Sequence, residues 1–228
     1  MDLLLLNNKS LLEALKVSLI VVLLVIIFTL FISVTMTVLM GLKKKNWTNL
    51  VELILILPMF IPPSAIGYLI LIVLGRNGII GKFLYQSFDI SIIFTLTAAV
   101  IAGVVVTIPI MYQSIQAAIR SIDREVIEAA RVFGANELTI WLKIILPLST
   151  NGILNGMLLS FARAFGEFGA TILVAGNIPG KTQTLPMALY YAIENNNDGQ
   201  AMSILLVIFI VAIFLLSLYK TLLNYVNR

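Results

Sequence analysis

The amino-acid sequence predicts an all-α membrane protein with about five transmembrane helices. Of the 228 residues, 60% are hydrophobic and only 11% are charged, and the mean hydropathy is +1.05. Soluble domains carry about 25% charged residues, so this chain has too few to cover its surface in water. The sequence also contains several uncharged runs of about 20 residues, the length that a helix needs to cross a bilayer. One membrane domain, residues 1–228, is the simplest organisation, since no repeat or linker divides the chain.

Five segments are predicted to span the membrane. Four of them contain no charged residue and are flanked by charged residues on both sides. The fourth span in chain order is different, because it contains Arg163 and Glu167. We expect it to be one span with an ion pair inside it, or else a shorter span followed by a re-entrant segment. The predicted spans are residues 17–40, 53–74, 90–119, 144–174 and 199–219.

The distribution of Lys and Arg predicts an N-terminus outside the cell and a C-terminus in the cytoplasm. Cytoplasmic loops are enriched in positive charge, and this orientation places nine such residues inside and five outside. Asp2 is acidic where a cleaved signal peptide carries positive charge, so we expect the first span to be retained. The inside residues are Lys43, Lys44, Lys45, Arg120, Arg124, Arg131, Lys143, Lys220 and Arg228, and the outside residues are Lys9, Lys16, Arg76, Lys82 and Lys181.

The absence of Cys and His excludes many kinds of site chemistry. The chain can form no Cys/His zinc site, thiolate nucleophile, disulfide or Ser-His-Asp triad, and we expect neither catalytic residues nor a bound metal. The stretch from Ala175 to Thr182 superficially matches a phosphate-binding loop, but it follows a membrane span instead of a strand. We therefore expect no nucleotide on this chain. The net charge of +4 reflects membrane topology and not nucleic-acid binding.

The segment between the third and fourth spans, residues 121–147, predicts a helix–glycine–helix arrangement that we call the elbow. Ser121 or Asp123 can cap its first helix, and Gly134 stands where helices commonly end in a left-handed residue. A second helix is predicted at 137–145. An amphipathic elbow that its own chain leaves uncovered is either a docking surface or a helix pair lying on lipid. The apolar residues at helical spacing are Val126, Ala129, Ala130 and Phe133.

The elbow resembles the EAA signature of ABC importer permeases. That resemblance implies a type I ABC importer permease fold, in which the elbow is the coupling helix and sits in a groove on a separate ATPase subunit. It implies that Glu128 helps to seat the elbow, that Gly134 makes its turn and that Pro147 bends the chain into the fourth span. Small side chains at the two alanines would allow close approach. The matching residues are Glu128, Ala129, Ala130, Gly134, Ile144, Leu146 and Pro147.

A second stretch, residues 161–190, is similar to the molybdate and sulfate permeases. Arg163 and Glu167, four residues apart on a helix, are expected to pair, since a lone charge in the bilayer costs several kcal/mol. The pair either orders the bundle or lines the translocation path. Gly166, Gly169 and Ala170 are expected to allow close helix packing. The match consists of Ala162, Arg163, Gly166, Glu167, Phe168, Gly169 and Ala170, and the continuation 176–186 and the prolines of the second span favour the molybdate branch.

This resemblance implies an importer of a tetrahedral dianion, molybdate, in the plasma membrane of a prokaryote. Two copies of the chain would form the pathway, two cytoplasmic ATPase subunits would bind ATP and Mg²⁺, and an external molybdate-binding protein would deliver the anion. The chain itself would hold no cofactor. Thr171, Asn177 and Thr182 are candidates for contacting the anion and are equally consistent with loop residues. The alternatives are a sulfate or tungstate permease of the same family and, more remotely, a secondary transporter or another non-ABC membrane protein.

Overall fold

The computed structural model describes residues 2–42 and 47–226, and this part of the chain forms α-helices and no strand. The predicted lysine cluster Lys43–Lys45 lies outside the described residues. The helices are α1 (Asp2–Leu42), α2 (Trp47–Ile56), α3 (Pro63–Leu74), α4 (Ile79–Phe88), α5 (Leu96–Arg120), α6 (Arg124–Val132), α7 (Glu137–Ile140), α8 (Leu146–Leu148), α9 (Thr150–Phe165), α10 (Gly169–Ala175), α11 (Leu185–Glu194) and α12 (Asp198–Val226), with a 3₁₀ turn at Leu57–Met59 and a π-helical turn at Trp141–Ile145.

Three helices are long and apolar enough to cross a membrane without a break. They are α1 from Lys9 onward, α5, and α12 as far as Thr221, and they coincide with the first, third and fifth predicted spans. Two further candidate crossings are pairs of shorter helices that meet at a bend, and each pair is either a broken span or a re-entrant loop. Residues 48–59 and 63–74 meet at 115°, and residues 137–148 and 150–165 meet at 65°. Counting each bent pair as one crossing gives the five spans that the sequence predicts.

The second predicted span, 53–74, is not one straight helix. The 3₁₀ turn ends at Met59, and α3 begins at Pro63 after a sharp change of direction. Prolines cause the bend, because a proline lacks the backbone N–H and its ring clashes with the preceding turn. Pro63 then occupies the start of α3, where a missing N–H costs nothing. Counting uncharged residues measures the length of a span but does not detect this bend.

The fourth predicted span, 144–174, is also broken. Helix α9 ends at Phe165, residues 166–168 leave the helix, and α10 begins at Gly169. The amide of Gly166 bonds to the carbonyl of Ala162 at 3.2 Å and closes the last turn of α9. The structure therefore corresponds to the alternative of a shorter span followed by a separate segment. Glycine is a poor helix former, and two of the residues at this junction, Gly166 and Gly169, are glycines.

Helix α5 lies at the centre of the bundle and packs against α1, α9 and α10. In its most apolar stretch 67% of the residues are buried, compared with 6% in α12, which lies at the periphery. Small residues bring α5 and α9 together: a Cβ added at Gly152 would lie 2.2 Å from the Cβ of Ala118. At the same level the hydroxyl of Ser114 donates to the carbonyl of Gly152 at 2.8 Å. Close backbone approach of this kind is how helices associate inside a bilayer.

A buried pair of hydroxyls joins α1 to α5. The Oγ1 atoms of Thr29 and Thr107 are 2.8 Å apart, and Thr107 donates its own hydrogen to the carbonyl of Gly103 at 2.8 Å. Thr29 is therefore the donor between the two threonines, because a hydroxyl carries one hydrogen. Hydrogen bonds between spans are typically worth about 0.6 kcal/mol each, so the pair orients the helices and small-residue packing contributes the larger part.

The contact at Gly152 generates a prediction about stability. Replacing Gly152 with Ala forces α5 and α9 apart, an overpacking that costs about 1–3 kcal/mol. The melting temperature of the purified protein in detergent is expected to fall by roughly 3–10 °C. The control is Gly199→Ala at the start of α12, where the nearest atom to an added Cβ is 4.0 Å away. Equal melting temperatures for the two variants would contradict close packing at Gly152.

Candidate functional site

The first helix of the elbow, α6, begins at a side-chain cap. An Oδ1 atom of Asp123 accepts a hydrogen bond from the amide of Glu125 at 3.0 Å. Of the two predicted caps, Asp123 is the one the structure uses, since Ser121 instead donates to the carbonyl of Ala118 at 2.7 Å, at the end of α5. A carboxylate at this position satisfies a free amide and interacts favourably with the helix dipole.

The first helix of the elbow ends at Gly134. This residue has a φ of +82°, and the amide of Ala135 bonds to the carbonyl of Ala130 at 3.0 Å. That pattern of a left-handed glycine followed by a backward hydrogen bond is a common helix end. No atom lies within 4 Å of a Cβ added at Gly134. Glycine is therefore favoured at position 134 because of the positive φ, and not because a larger side chain would find no space.

An ion pair links the two arms of the elbow. The Nε and Nη2 atoms of Arg131 bond to the two carboxylate oxygens of Glu137 at 2.8 and 3.2 Å. These hydrogen bonds raise the pKa of the Arg131 guanidinium above its usual value, so the arginine remains charged. The second arm starts at a cap as well, since the side chain of Asn136 accepts from the amide of Thr139 at 2.8 Å. The two-pronged ion pair orients α7 relative to α6.

The inner face of the elbow is anchored to the bundle. Ile140, Trp141 and Ile145 are buried, and residues of α1 and α5 pack against them. The indole of Trp141 lies over Gly41 of α1 so closely that a Cβ there would be 1.7 Å from a ring carbon. Sequence reasoning missed this contact between Gly41 and Trp141, although a tryptophan within a polar loop was an available signal. The elbow is consequently packed against the spans and does not hang free of them.

The tip of the elbow is apolar and uncovered by any described residue, whereas the rest of the outer face of α6 carries exposed charged residues such as Glu125, Glu128 and Arg131. The side chains of Val132 and Phe133 are 86% and 90% exposed, next to the turn at Gly134. Exposed apolar patches of this kind mark interaction surfaces. Among the signature residues, Glu128, Ala129, Gly134 and Pro147 are exposed and Ala130, Ile144 and Leu146 are half-buried.

The ion pair predicted in the fourth span is present, but it crosses the helix break. Arg163 lies in the last turn of α9, and its Nη1 is 2.5 Å from Oε2 of Glu167, in the linker to α10. The Oε1 atom of Glu167 accepts a hydrogen bond from the amide of Ala170 at 2.7 Å. The Glu167 side chain is 3% exposed and that of Arg163 is 31% exposed. Glu167 thus pairs with the end of one helix and caps the start of the next.

The short helix α10 packs closely against α3. A Cβ added at Gly67 would lie 2.8 Å from backbone atoms of Ala170, and one added at Gly169 would lie 3.2 Å from the Cβ of Pro63. These contacts account for the small residues at positions 169 and 170. Gly166 differs, because an added Cβ would meet only the carbonyl of Ala162 at 3.6 Å. Within the described residues of this chain no close helix contact lies at Gly166, and this glycine follows the end of α9.

The polar residues proposed to contact an anion lie mostly inside the chain. Thr171 is 2% exposed. The hydroxyl of Thr182 donates to the carbonyl of Gly176 at 3.2 Å and accepts from the amide of Ile178 at 3.2 Å. Asn177 accepts a hydrogen bond from the side chain of Gln183 at 2.8 Å. Asn177 and Thr182 therefore order the loop between α10 and α11.

The segment that superficially matches a phosphate-binding loop has a different structure. A short helix, α10, precedes it, and the amides of Lys181, Thr182 and Gln183 all point to the carbonyl of Ile178, at 2.9 to 3.1 Å. A phosphate-binding loop needs its amides free to surround the phosphate. These three amides already have a partner within the loop.

The family model described as "Binding-protein-dependent transport system inner membrane component" matches residues 33–227. The chain is 43% identical over 155 residues to the "Molybdenum transport system permease protein ModB" of Haemophilus influenzae, covering 67% of this chain and 68% of that one. It is 37% identical over 169 residues to the "Sulfate transport system permease protein CysW" of Synechocystis, covering 74% of this chain and 61% of that one.

A solved structure gives the same fold. The chain superposes on a chain of the MetNI methionine ABC transporter, in an inward-facing conformation, with a TM-score of 0.75. The superposition covers 96% of this chain and 97% of that chain at 18% sequence identity. At this identity the likeness concerns the fold alone.

In the Arg163–Glu167 ion pair the glutamate is much more deeply buried than the arginine. We therefore predict that neutralising one residue changes the melting temperature more than neutralising the other. Arg163→Gln leaves the buried carboxylate of Glu167 without its cation, and such a loss costs about 3–5 kcal/mol. Glu167→Gln leaves the partly exposed Arg163, which can extend toward solvent or lipid headgroups, and the amide oxygen can still accept from Ala170. We expect Arg163→Gln to lower the melting temperature by roughly 6–15 °C, more than Glu167→Gln does.

The matched control for this pair is Arg76→Gln, which removes an exposed arginine from the ring of Tyr85. That variant is expected to melt within about 2 °C of the unmodified protein, because exposed charge contacts contribute little. The opposite order of the two ion-pair variants would contradict the dependence of Glu167 on Arg163.

Proposed function

Because the chain belongs to the family of binding-protein-dependent transport system inner membrane components, we propose that two copies of it form the pathway of an ATP-driven importer of molybdate. The chain is a multi-pass permease subunit of a membrane. It has no ATPase site of its own, and ATP hydrolysis takes place on a partner subunit. Two such subunits hold ATP and Mg²⁺ in the cytoplasm, an external binding protein delivers the anion, and the N-terminus of the permease lies outside.

The observation that carries the proposal is the uncovered apolar tip of the elbow. Val132 and Phe133 are almost fully exposed beside a rigid, capped turn that carries the EAA-like residues. A helix that presents apolar side chains in this way fits a hydrophobic groove on a partner protein. We assign that groove to the ATPase subunit, with Phe133 inserted into it. Glu128 and Ala129, exposed on the same helix, lie at the rim of the contact.

The anchoring of the elbow suggests how movement of the ATPase reaches the pathway. Trp141 packs against Gly41 of α1, and the buried residues around it contact the end of α5. The chain then continues through Ile144, Leu146 and Pro147 into α9. A displacement of the docked tip would therefore turn α1, α5 and α9 together, because packed interiors move as units and do not deform continuously.

The residues predicted to line the pathway differ in how exposed their side chains are. Arg163 is the one among them that has both a charge and an exposed surface, whereas Glu167 and Thr171 are buried behind it. A dianion needs cationic and hydrogen-bond donating groups. We assign Arg163 to the wall of the pathway, with the exposed backbone of Gly166 beside it. Glu167, Gly169 and Thr171 support that wall from inside the bundle.

The choice of molybdate rests on the relatives and on the residues of the broken span. The chain is identical to a molybdenum permease at 43% of the aligned residues and to a sulfate permease at 37% of them. The stretch 176–186 also resembles the molybdate branch. Sulfate and tungstate are the competing cargoes, since all three are tetrahedral dianions of similar chemistry.

The elbow generates a test of coupling that uses the turn at Gly134. Gly134→Val forces a β-branched residue into a left-handed conformation, a strain of about 1–3 kcal/mol, whereas Gly134→Asn introduces a residue that tolerates that conformation. We expect the valine variant to lose ATP-driven uptake, and co-purification with the ATPase, by roughly tenfold or more. The asparagine variant is expected to keep most of both. Comparable membrane levels of the two variants provide the control.

This comparison separates backbone strain from crowding, because a Cβ at Gly134 meets no atom within 4 Å. Full coupling in Gly134→Val would show that the turn is not needed for docking.

The cargo is tested with the reconstituted complex of permease, ATPase and binding protein in liposomes. Uptake of radiolabelled molybdate is measured with tungstate or sulfate as competitor. We expect tungstate to compete at concentrations similar to molybdate and sulfate only in large excess. Stronger competition by sulfate than by molybdate itself would assign the permease to sulfate instead.

A further inference from the structure

A small enclosed cavity lies beside the break in the fourth span. It is lined by polar side chains from three separate parts of the chain: Ser18 of α1, Glu167 and Thr171 at the break, and Thr184 just before α11. The remaining wall is apolar and comes largely from α1, α5 and the end of α9. All four polar residues are at most 5% exposed.

Polar groups with unused bonding capacity face this cavity. Within the described residues, the hydroxyl of Thr184 has no hydrogen-bond partner, and Oε2 of Glu167 has only its ion contact with Arg163. The hydroxyl oxygen of Ser18 accepts from the amide of Leu185 at 2.7 Å, which leaves its own hydrogen available. Unsatisfied buried polar groups are rare in folded proteins, and ordered water is a common partner for them.

We propose that one water molecule binds in this cavity and bridges Glu167 to Thr184. The water donates a hydrogen bond to Oε2 of Glu167 and accepts one from the hydroxyl of Thr184. Ser18 lines the same cavity and is the candidate for a third partner. The volume open to the centre of a water molecule is about 10 Å³, close to the minimum of roughly 10–15 Å³ that a single buried water requires.

Other occupants fit the cavity poorly. A tetrahedral oxyanion is far larger than this volume and would meet the carboxylate of Glu167. A metal cation is disfavoured because the guanidinium of Arg163, 2.5 Å from the same carboxylate, already balances its charge. Two to four polar partners are what an internal water needs, and this lining provides them.

The bridging water has a structural consequence. Ser18 also holds the start of α11 through the amide of Leu185, and Glu167 caps α10 through the amide of Ala170. The water closes the gap between these two hydrogen bonds. It thereby connects the start of α10 to the start of α11, and it solvates a carboxylate that is otherwise almost fully buried. This role is independent of which anion is transported.

Whether the variant Thr184→Val has a lower or a higher melting temperature than the unmodified protein tests whether the water is present. In Thr184→Val the hydroxyl is replaced by a methyl group of similar size. If Thr184 has a water partner, the variant loses that hydrogen bond and the water loses one of its partners. The melting temperature in detergent is then expected to fall by roughly 2–6 °C. If the cavity is dry, the variant removes an unsatisfied polar group, and the melting temperature stays the same or rises. The latter result would overturn the proposal.

Two further variants calibrate this measurement. Thr182→Val removes a buried hydroxyl whose partners are both backbone groups, and it gives the cost of losing direct hydrogen bonds in the same loop. Thr184→Ser keeps the hydroxyl, and its melting temperature is expected to lie above that of Thr184→Val.

A direct measurement is the density map of the permease complex at about 2 Å resolution. A peak between Thr184 and Glu167 that is absent in Thr184→Val is the expected result. A map of the unmodified protein without that peak would refute the proposal even if the valine variant failed to fold.

Discussion

A helix that breaks inside a membrane leaves backbone amides and carbonyls without water to bond, and each costs several kcal/mol unless the protein supplies a partner. This chain leaves the helix at residues 166–168, where α9 ends, and supplies the partner with one carboxylate. Glu167 accepts from the amide of Ala170 and pairs with Arg163, so the end of α9 and the start of α10 are joined by the same side chain. The position of α10 between α3 and α5 depends on this arrangement, because α10 has only seven residues and cannot hold itself in place.

Close backbone contact holds the rest of the bundle together. Gly152 meets Ala118 between α9 and α5, and Gly67 meets Ala170 between α3 and α10. Inside a bilayer apolar side chains gain little from meeting one another, so helices associate where small residues let their backbones approach. The same principle places Trp141 on Gly41. Small residues therefore serve both the packing of the spans and the attachment of the elbow.

The elbow and the broken span present two different kinds of surface. The elbow is held from inside by a tryptophan and shaped by the cap at Asp123, the turn at Gly134 and the Arg131–Glu137 pair, and it exposes an apolar tip. The broken span hides a carboxylate and leaves the paired arginine partly exposed. In the proposed function the first surface binds the ATPase and the second lines the anion pathway, within a chain that has only 11% charged residues.

The sequence by itself determined the fold class, the positions of three crossings and the outline of the elbow. Uncharged length reports a span directly, and caps, glycines and charges four residues apart act over one or two turns, so Asp123, Gly134 and the Arg163–Glu167 pair could all be found locally. Only the tertiary structure decided the bend at Pro63, the break at residues 166–168, the contact of Trp141 with Gly41 and the burial of Thr171. Prolines and glycines mark locally where a helix can bend or break. The direction that the chain then takes, and which residues meet, depend on contacts between residues distant in sequence, which a local pattern does not contain.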